Sequence, residues 1–291
     1  MSTYNGELYL KEQINSILEQ EDVKVDIWIR DDGSVDSTVQ IINDYMKEYS
    51  NIKYYTGKNL KSAQSFIDLL YTIEGYDYYA FADQDDVWYR RKLIEGIKYL
   101  KDDYHLYGCK KEIVNENLEV LNKKDEYPKC LELGVTILRC KISGCTMIFD
   151  RFLKNKLMEY RPQVVTMHDS WVLKVACCVG KVYFDSNKYI LYRQHSKNVV
   201  GAKQDLLNLW KKRIKNLKKR KKNLTRIKMA EELYRGYSKY LNDKEKEHLY
   251  NFINSRNSFK DRIKVIFSNF IKGDSYLDTI ILKIIILLGL I

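Results

Sequence analysis

Three short acidic segments hold the residues of this chain most able to do chemistry. Asp31-Asp32-Gly33-Ser34 follows an apolar alternation, Asp83-Gln84-Asp85-Asp86 ends an aromatic run, and His168-Asp169-Ser170-Trp171 opens a periodic apolar stretch. Three aspartates within four residues repel one another unless something positive sits between them. A hard divalent cation, Mg²⁺ or Mn²⁺, held by carboxylates and substrate phosphates would relieve that repulsion. The plain alternative is a solvated acidic turn capping a helix near Arg90. Asp169 at a helix start has two readings as well: a plain N-cap, or a carboxylate held charged by the helix dipole and free to act as general base.

The elements around these segments decide between the readings. Leu10, Ile14, Ile17 and Leu18 give a first helix with one apolar face. Val23, Val25, Ile27 and Ile29 alternate with polar partners as a half-buried strand, which runs into the Asp31-Asp32 turn. Asp36 is placed to cap a helix from Ser37 to Tyr49. A strand over Ile52–Tyr55, a helix over Ser62–Ile73, a strand over Tyr76–Ala82 and a helix over Arg90–Leu100 follow. Later come helices over Arg151–Tyr160 and Asp169–Val179, then strand character from Val182 to Arg193. Strands alternating with helices of this length imply an α/β fold with a mainly parallel sheet. In such sheets ligands bind at the carboxyl ends of the strands, where both Asp31/Asp32 and Asp83/Asp85/Asp86 fall.

Composition bounds the rest. The chain has 291 residues, 45% hydrophobic and 31% charged, too apolar for disorder. Its net charge of +11 equals the eleven Lys and Arg residues between Leu206 and Met229, a stretch with no acid. Leu207, Trp210, Ile214, Leu217, Leu224 and Ile227 form an apolar stripe on that basic helix. Such a helix can lie on an anionic bilayer, pack its stripe on the body, or bind nucleic acid. The terminal IILKIIILLGLI (Ile280–Ile291) is too short to span a bilayer and too apolar to be left in water. Together the two favour peripheral or monotopic membrane association, with no nucleic acid expected. No signal peptide opens the chain, and six cysteines without a Cys-x-x-Cys pair suit a reducing cytosol. The expected location is therefore the cytoplasmic, inner face of the cell membrane. A non-catalytic membrane- or nucleic-acid-binding protein built on residues 206–229 is the competing reading, and it leaves the ordered aspartates unexplained.

Ser2–Leu18 (STYNGELYLKEQINSIL), Arg30–Thr38 (RDDGSVDST) and Phe81–Trp88 (FADQDDVW) resemble the successive nucleotide-sugar signatures of family 2 glycosyltransferases. The likeness is nearest to bacterial rhamnosyltransferase-like members with a GT-A fold. It is dense over the first 100 residues and patchier to about residue 201. The resemblance implies a nucleotide-sugar-binding and catalytic domain over 1–201 and a helical, basic and apolar region over 202–291. It implies that Thr3 and Tyr4 contact the nucleoside, that Asp32 sits near the base or ribose, and that Asp31 supports it. Asp83 and Asp85 match the family's DxD pair, near the ribose and on the metal, with Asp86 beside them. Asp169 matches the catalytic base of an inverting displacement. Ser143-Gly144-Cys145 resembles the loop lining donor sugar and acceptor, and reads equally as a turn entering a core strand. Tyr192-Arg193-Gln194-His195 resembles a late segment over the diphosphate, with His195 a metal ligand and Arg193 a phosphate contact; a lone histidine is also often structural.

The activity so implied is metal-dependent transfer of a sugar from dTDP-L-rhamnose or a UDP-hexose. The acceptor is a glycan, lipid-linked, in bacterial surface polysaccharide synthesis. A sugar nucleotidyltransferase would need a glycine-rich phosphate loop near the N-terminus, and the sequence has none. Family members also carry an apolar strand ahead of the STYN segment, so the true translation start is expected upstream, with Met1 as the end of that strand.

Overall fold

The computed structural model describes residues 1–122, 128, 130–195, 225–273 and 275–290. Residues 206–224 of the basic stretch lie outside the described residues, as does Ile291 of the apolar tail.

Three strands, β1 (Ser2–Thr3), β2 (Ile27–Asp31) and β3 (Ile52–Thr56), form a parallel sheet in that order. Thr3 lies opposite Asp31 and Asp31 opposite Thr56, so their carboxyl ends are level. The alternation that begins at Val23 becomes strand only at Ile27. The reason is that β3 starts opposite it, at Ile52; ahead of that, the Asn51 side chain donates to the Val25 carbonyl at 2.8 Å.

A second sheet has the order β4 (Tyr78–Ala80), β7 (Ile148–Asp150), β6 (Tyr104–Val114), β8 (Lys181–Arg193), β5 (Val87–Trp88). It is mixed, and beside the all-parallel first sheet it completes the expected α/β architecture. β6 and β8 run parallel, whereas β4–β7, β6–β7 and β5–β8 are antiparallel. A parallel crossover needs a dozen or more residues. The link from β4 to β5 is shorter, and the two strands go to opposite edges of the sheet. The pairing of Val87 with Leu191 and of Trp88 with Ile190 sets residues 83–86 beside the end of β8. Between β2 and β4 lies a cleft of about 640 Å³, lined by Met1, Ile27, Trp28, Leu70, Ile73 and Tyr79 among others.

Helices α1 (Leu10–Leu18), α2 (Thr38–Glu48), α3 (Lys61–Thr72) and α4 (Lys92–Ile97) connect the early strands. Each turns an apolar face inward, as Leu10, Ile14 and Ile17 do on α1. After a short helix α5 (Leu133–Thr136), α6 (Arg151–Met158) and α7 (His168–Val179) precede β8. Helix α7 is buried on nearly every side, through Trp171, Val172, Leu173, Val175 and Ala176. Its own Lys174 ammonium is satisfied by the Ser170 hydroxyl at 2.5 Å. A helix packed this completely is a fixed platform, and its first turn carries Asp169.

The C-terminal helices are α8 (Thr225–Tyr237), α9 (Asp243–Asn254), α10 (Phe259–Phe267) and α11 (Tyr276–Leu287). Asn242 and Glu245 form a capping box at the start of α9. Ala230, Leu233 and Tyr237 of α8 are fully buried in the core that also holds Trp171, and Ile227, the last of the apolar stripe, is buried with them. Tyr160 donates to Glu232 at 2.7 Å across the same seam. The apolar tail is divided along α11: Leu282 and Ile286 enter the core, whereas Leu277, Ile280, Ile284 and Leu288 face outward.

Because α7 and α8 share one core, Leu233→Ala should destabilise the whole body by about 2–5 kcal/mol. Urea unfolding followed by tryptophan fluorescence and by far-UV circular dichroism should show one coincident transition at lower midpoint. A separate early transition for the C-terminal helices would contradict this.

Candidate active site

The first wall of the site is the turn after β2. Asp31 is fully buried, and its carboxylate accepts from the Gly33 and Ser34 amides at 2.9 and 2.8 Å and from the Thr3 hydroxyl at 3.0 Å. Gly33 makes the reversal with φ of +82°, a conformation that side chains disfavour. Asn5 ties the end of β1 to this turn, its amide donating to the Ser34 hydroxyl at 2.8 Å and its side chain accepting from the Val35 amide at 2.9 Å. Asp32, also buried, pairs with Arg30 and accepts from the Leu60 amide at 3.1 Å. Asp31 therefore builds the turn and Asp32 is the carboxylate that reaches the cavity wall.

The second wall is the turn between β4 and β5. Gln84 clamps it to the end of β1, accepting from the Tyr4 amide at 2.8 Å and donating to the Tyr4 carbonyl at 3.2 Å. His195 Nε2 lies 2.8 Å from Asp85 Oδ2, and its ring stacks on Tyr9. The Asp83 carboxyl is pushed up to about 7 by burial and by the charges of Asp85 and Asp169. Such crowding is what a divalent cation relieves, and two carboxylates with an imidazole are donors that Mn²⁺ and Mg²⁺ sites accept. The donor set thus fits a hard metal ion.

Arg193 stands behind this turn. Its backbone N–H donates to Asp86 Oδ1 at 3.1 Å and its Nε to the Asp85 carbonyl at 2.9 Å; its terminal nitrogens reach the Glu116 carbonyl and the Glu12 carboxylate. The guanidinium is 4.4 Å from the Tyr9 ring centroid, and the residue is buried. This corrects the expectation of a phosphate contact: the side chain braces the acidic turn from behind and does not line the cavity.

The third wall faces the acidic turn. Asp169 sits in the first turn of α7, where Oδ1 accepts from the Ser170 amide at 2.6 Å and Oδ2 from the Gly144 amide at 3.2 Å. Gly144 is required by close approach, since a Cβ there would meet His168 Nε2 at 2.4 Å. His168 stacks on Phe66 with ring centroids 4.1 Å apart, and burial drives its imidazole down to about 4. Ser143 accepts from the Lys111 ammonium at 2.7 Å, and that ammonium lies 4.5 Å from the Tyr192 ring centroid.

A cavity of about 650 Å³ joins the three walls. Of the residues expected from sequence, Tyr4, Asp32, Asp83, Asp85, Ser143, Gly144, Asp169 and His195 line it. Thr3, Asp31 and Arg193 do not. Successive strand residues point to opposite faces, so Tyr4 opens to the cavity while Thr3 turns inward to Asp31. Sequence reasoning gave Gln84 no role and missed Lys111, and it named Tyr192 only within the late segment ending at His195. Gln84 lies within the acidic motif and could have been read as its tether; Lys111 carries no motif and is brought beside Tyr192 by the β6–β8 pairing.

The model of the family described as "Glycosyl transferase family 2" matches residues 1–160. The dTDP-rhamnosyl transferase RfbG of Shigella flexneri is 31% identical over 222 residues, which cover 69% of this chain and 74% of that protein. The UDP-Glc:alpha-D-GlcNAc-diphosphoundecaprenol beta-1,3-glucosyltransferase WfgD of Escherichia coli is 28% identical over 156 residues, 53% of this chain and 60% of that one. Among solved structures, TarS 1–349 of S. aureus in complex with UDP-GlcNAc aligns with a TM-score of 0.59 and 17% identity, over 92% of this chain and 75% of that chain. That last likeness carries the fold, the expected GT-A architecture with a helical C-terminal region. The family model spans more than half of the chain, including the Asp31–Ser34 and Asp83–Asp86 segments, and so this protein belongs to glycosyl transferase family 2.

Proposed function

We propose that this chain is an inverting, metal-dependent glycosyltransferase. It moves a hexosyl group from dTDP-L-rhamnose or a UDP-hexose onto a lipid-linked glycan, in the synthesis of a bacterial surface polysaccharide. One observation carries the reading: Asp169, on a rigid helix start, shares a single cavity with the Asp83–Asp85 turn and with Asp32. The names of RfbG and WfgD, a dTDP-rhamnosyl and a UDP-glucosyl enzyme, favour those donor classes and a diphospholipid-borne acceptor.

In this reading Tyr4 and Asp32 receive the nucleoside at the ends of β1 and β2. Asp83, Asp85 and His195 would hold Mn²⁺ or Mg²⁺, which when bound supplies positive charge against that developing on the leaving diphosphate. The Gly144 and Ser170 amides fix the Asp169 carboxylate, which takes the proton of the acceptor hydroxyl as it attacks. Attack from the Asp169 side, opposite the leaving diphosphate, inverts the anomeric carbon. Lys111 and Ser143 border the space left for the transferred sugar.

No described helix is long and apolar enough to cross a membrane. The outward face of α11, which begins at the exposed Tyr276 and has exposed Phe267 ahead of it in sequence, is an apolar surface on a chain of net charge +11. We assign it to contact with the anionic inner face of the cell membrane, where a lipid-linked acceptor would be met.

Asp85→Ala should remove metal-dependent binding of dTDP or UDP, measured by thermal shift with Mn²⁺ against an EDTA control. Asp169→Asn should keep that binding and lower sugar transfer by about 10²–10⁴-fold; wild-type turnover in this variant would defeat the base assignment. Because Asp83 must lose its proton to ligate a cation, Mn²⁺-dependent nucleotide affinity should fall as pH drops through about 7. A flat profile from pH 8 to about 5 would count against its role. Ile284→Asp with Leu288→Asp, both at exposed positions, should leave the melting temperature nearly unchanged and reduce co-sedimentation with phosphatidylglycerol vesicles. Undiminished sedimentation would remove α11 from the membrane contact.

A further inference from the structure

A second set of ligand atoms adjoins the acidic turn. Asp83, Asp86 and Cys145 each offer one, and the three lie within 4.8 Å of one another. Asp86 and Cys145 are 0% and 2% exposed, while Asp83 opens to the cavity. Asp86 Oδ1 accepts from the Arg193 amide and the Cys145 thiol lies against the same carboxyl, but Oδ2 is buried with no nitrogen or oxygen donor. A buried carboxylate oxygen left in that condition costs about 1–3 kcal/mol, more if charged. The nearby Lys92 ammonium does not answer the need: it is buried, has no hydrogen-bond partner, and lies 3.5 Å over the Trp88 ring.

We propose that Asp83, Asp86 and Cys145 form a distinct site for a thiophilic divalent cation such as Zn²⁺ or Cd²⁺, sharing Asp83 with the donor-metal site. One thiolate and two carboxylates suit zinc-type coordination, with metal–sulfur near 2.3 Å and metal–oxygen near 2.0–2.2 Å, and leave a fourth position toward the cavity. A thiolate selects against Mg²⁺ and Mn²⁺, which prefer oxygen donors. Binding releases the protons held on the thiol and on the carboxyls, so that three negative ligand charges surround the dication. The orphaned Asp86 oxygen gains its partner, and Asp83 is withdrawn from the hard-metal position. The thiophilic ion therefore acts as a competitive inhibitor with respect to the activating metal. That competition rests on the reading of Asp83 as a donor-metal ligand; the binding of the thiophilic ion does not.

The test titrates Cd²⁺ alone into the full, reduced chain and follows the ultraviolet charge-transfer band of a cadmium thiolate. The expected result is a band saturating at one equivalent, absent in Cys145→Ser and retained in Cys178→Ser. Asp86→Asn, which removes a carboxylate ligand, should weaken it by at least the roughly 10- to 100-fold that loss of a ligand's supporting partner costs. Added Mn²⁺ should displace the Cd²⁺ titration to higher concentration. A band that persists in Cys145→Ser, or no band at all, overturns the site; a Cys145-dependent band indifferent to Mn²⁺ overturns the sharing of Asp83. Asp86→Asn also touches the Arg193 anchor, so Cys145→Ser, a one-atom change, is checked for native circular dichroism and decides the matter. Loss of nucleotide binding in Asp85→Ala with the band intact would keep the two readings separate.

Discussion

Four carboxylates, those of Asp83, Asp85, Asp86 and Asp169, are held close enough to feel one another in a partly dry pocket. Two unit charges 4 Å apart repel by about 4 kcal/mol at an effective dielectric of 20. Much of the surrounding architecture reads as an answer to that repulsion. Asp86 is driven toward its neutral form by burial. Lys111 brings a positive charge from β6 that opposes the shift at Asp83, and the start of α7 offers amides to Asp169. Arg193 grips the turn from behind. His195 meets the Asp85 carboxylate at 2.8 Å on the side facing the cavity.

Rigidity is the other half of the design. A base must meet its proton at hydrogen-bond distance, so the base proposed at Asp169 needs a fixed seat. Here it begins a helix whose remaining turns are packed on nearly every side, so its position is set by the core. The acidic turn has no such helix behind it. It is instead pinned at three points: Gln84 to β1, Val87 and Trp88 to β8, and Asp85 and Asp86 to Arg193. Both elements face one cavity with the end of β2, whose own turn is closed by Asp31.

Much of this was legible in the sequence because it is local. Glycine at Gly33, acidic residues at strand ends and a carboxylate in a first helical turn are signals spanning a few residues, and they located Asp32, Asp83, Asp85 and Asp169. The strand from Val182 to Arg193 was legible for the same reason. Long-range pairing was not. That β4 pairs antiparallel with β7 depends on residues about seventy positions away, and nothing in Tyr76–Ala82 announces it. Lys111, on a strand, reads as an ordinary solvated lysine until β8 lays Tyr192 beside it. Arg193 looked like a free cation in a ligand loop, because its partner Glu12 lies on the first helix. The apolar tail was readable as buried or as membrane-seeking, and α11 divides it between core and surface along its two faces.

The Arg193 brace also bears on the order in which the molecule can be made. Glu12, Asp85 and Glu116 all leave the ribosome long before the arginine that joins them. Chains emerge from the N-terminal end at about 5–20 residues per second. The early βα units can collapse as they appear, since the β1–β2–β3 sheet contains no later strand. The acidic turn cannot be locked until β8 has been translated to its last residue and zipped along β6. During synthesis the acidic half of the pocket is thus completed late, and a nascent chain halted short of Arg193 would carry every acidic motif of the first hundred residues without the geometry that gathers them around one cavity.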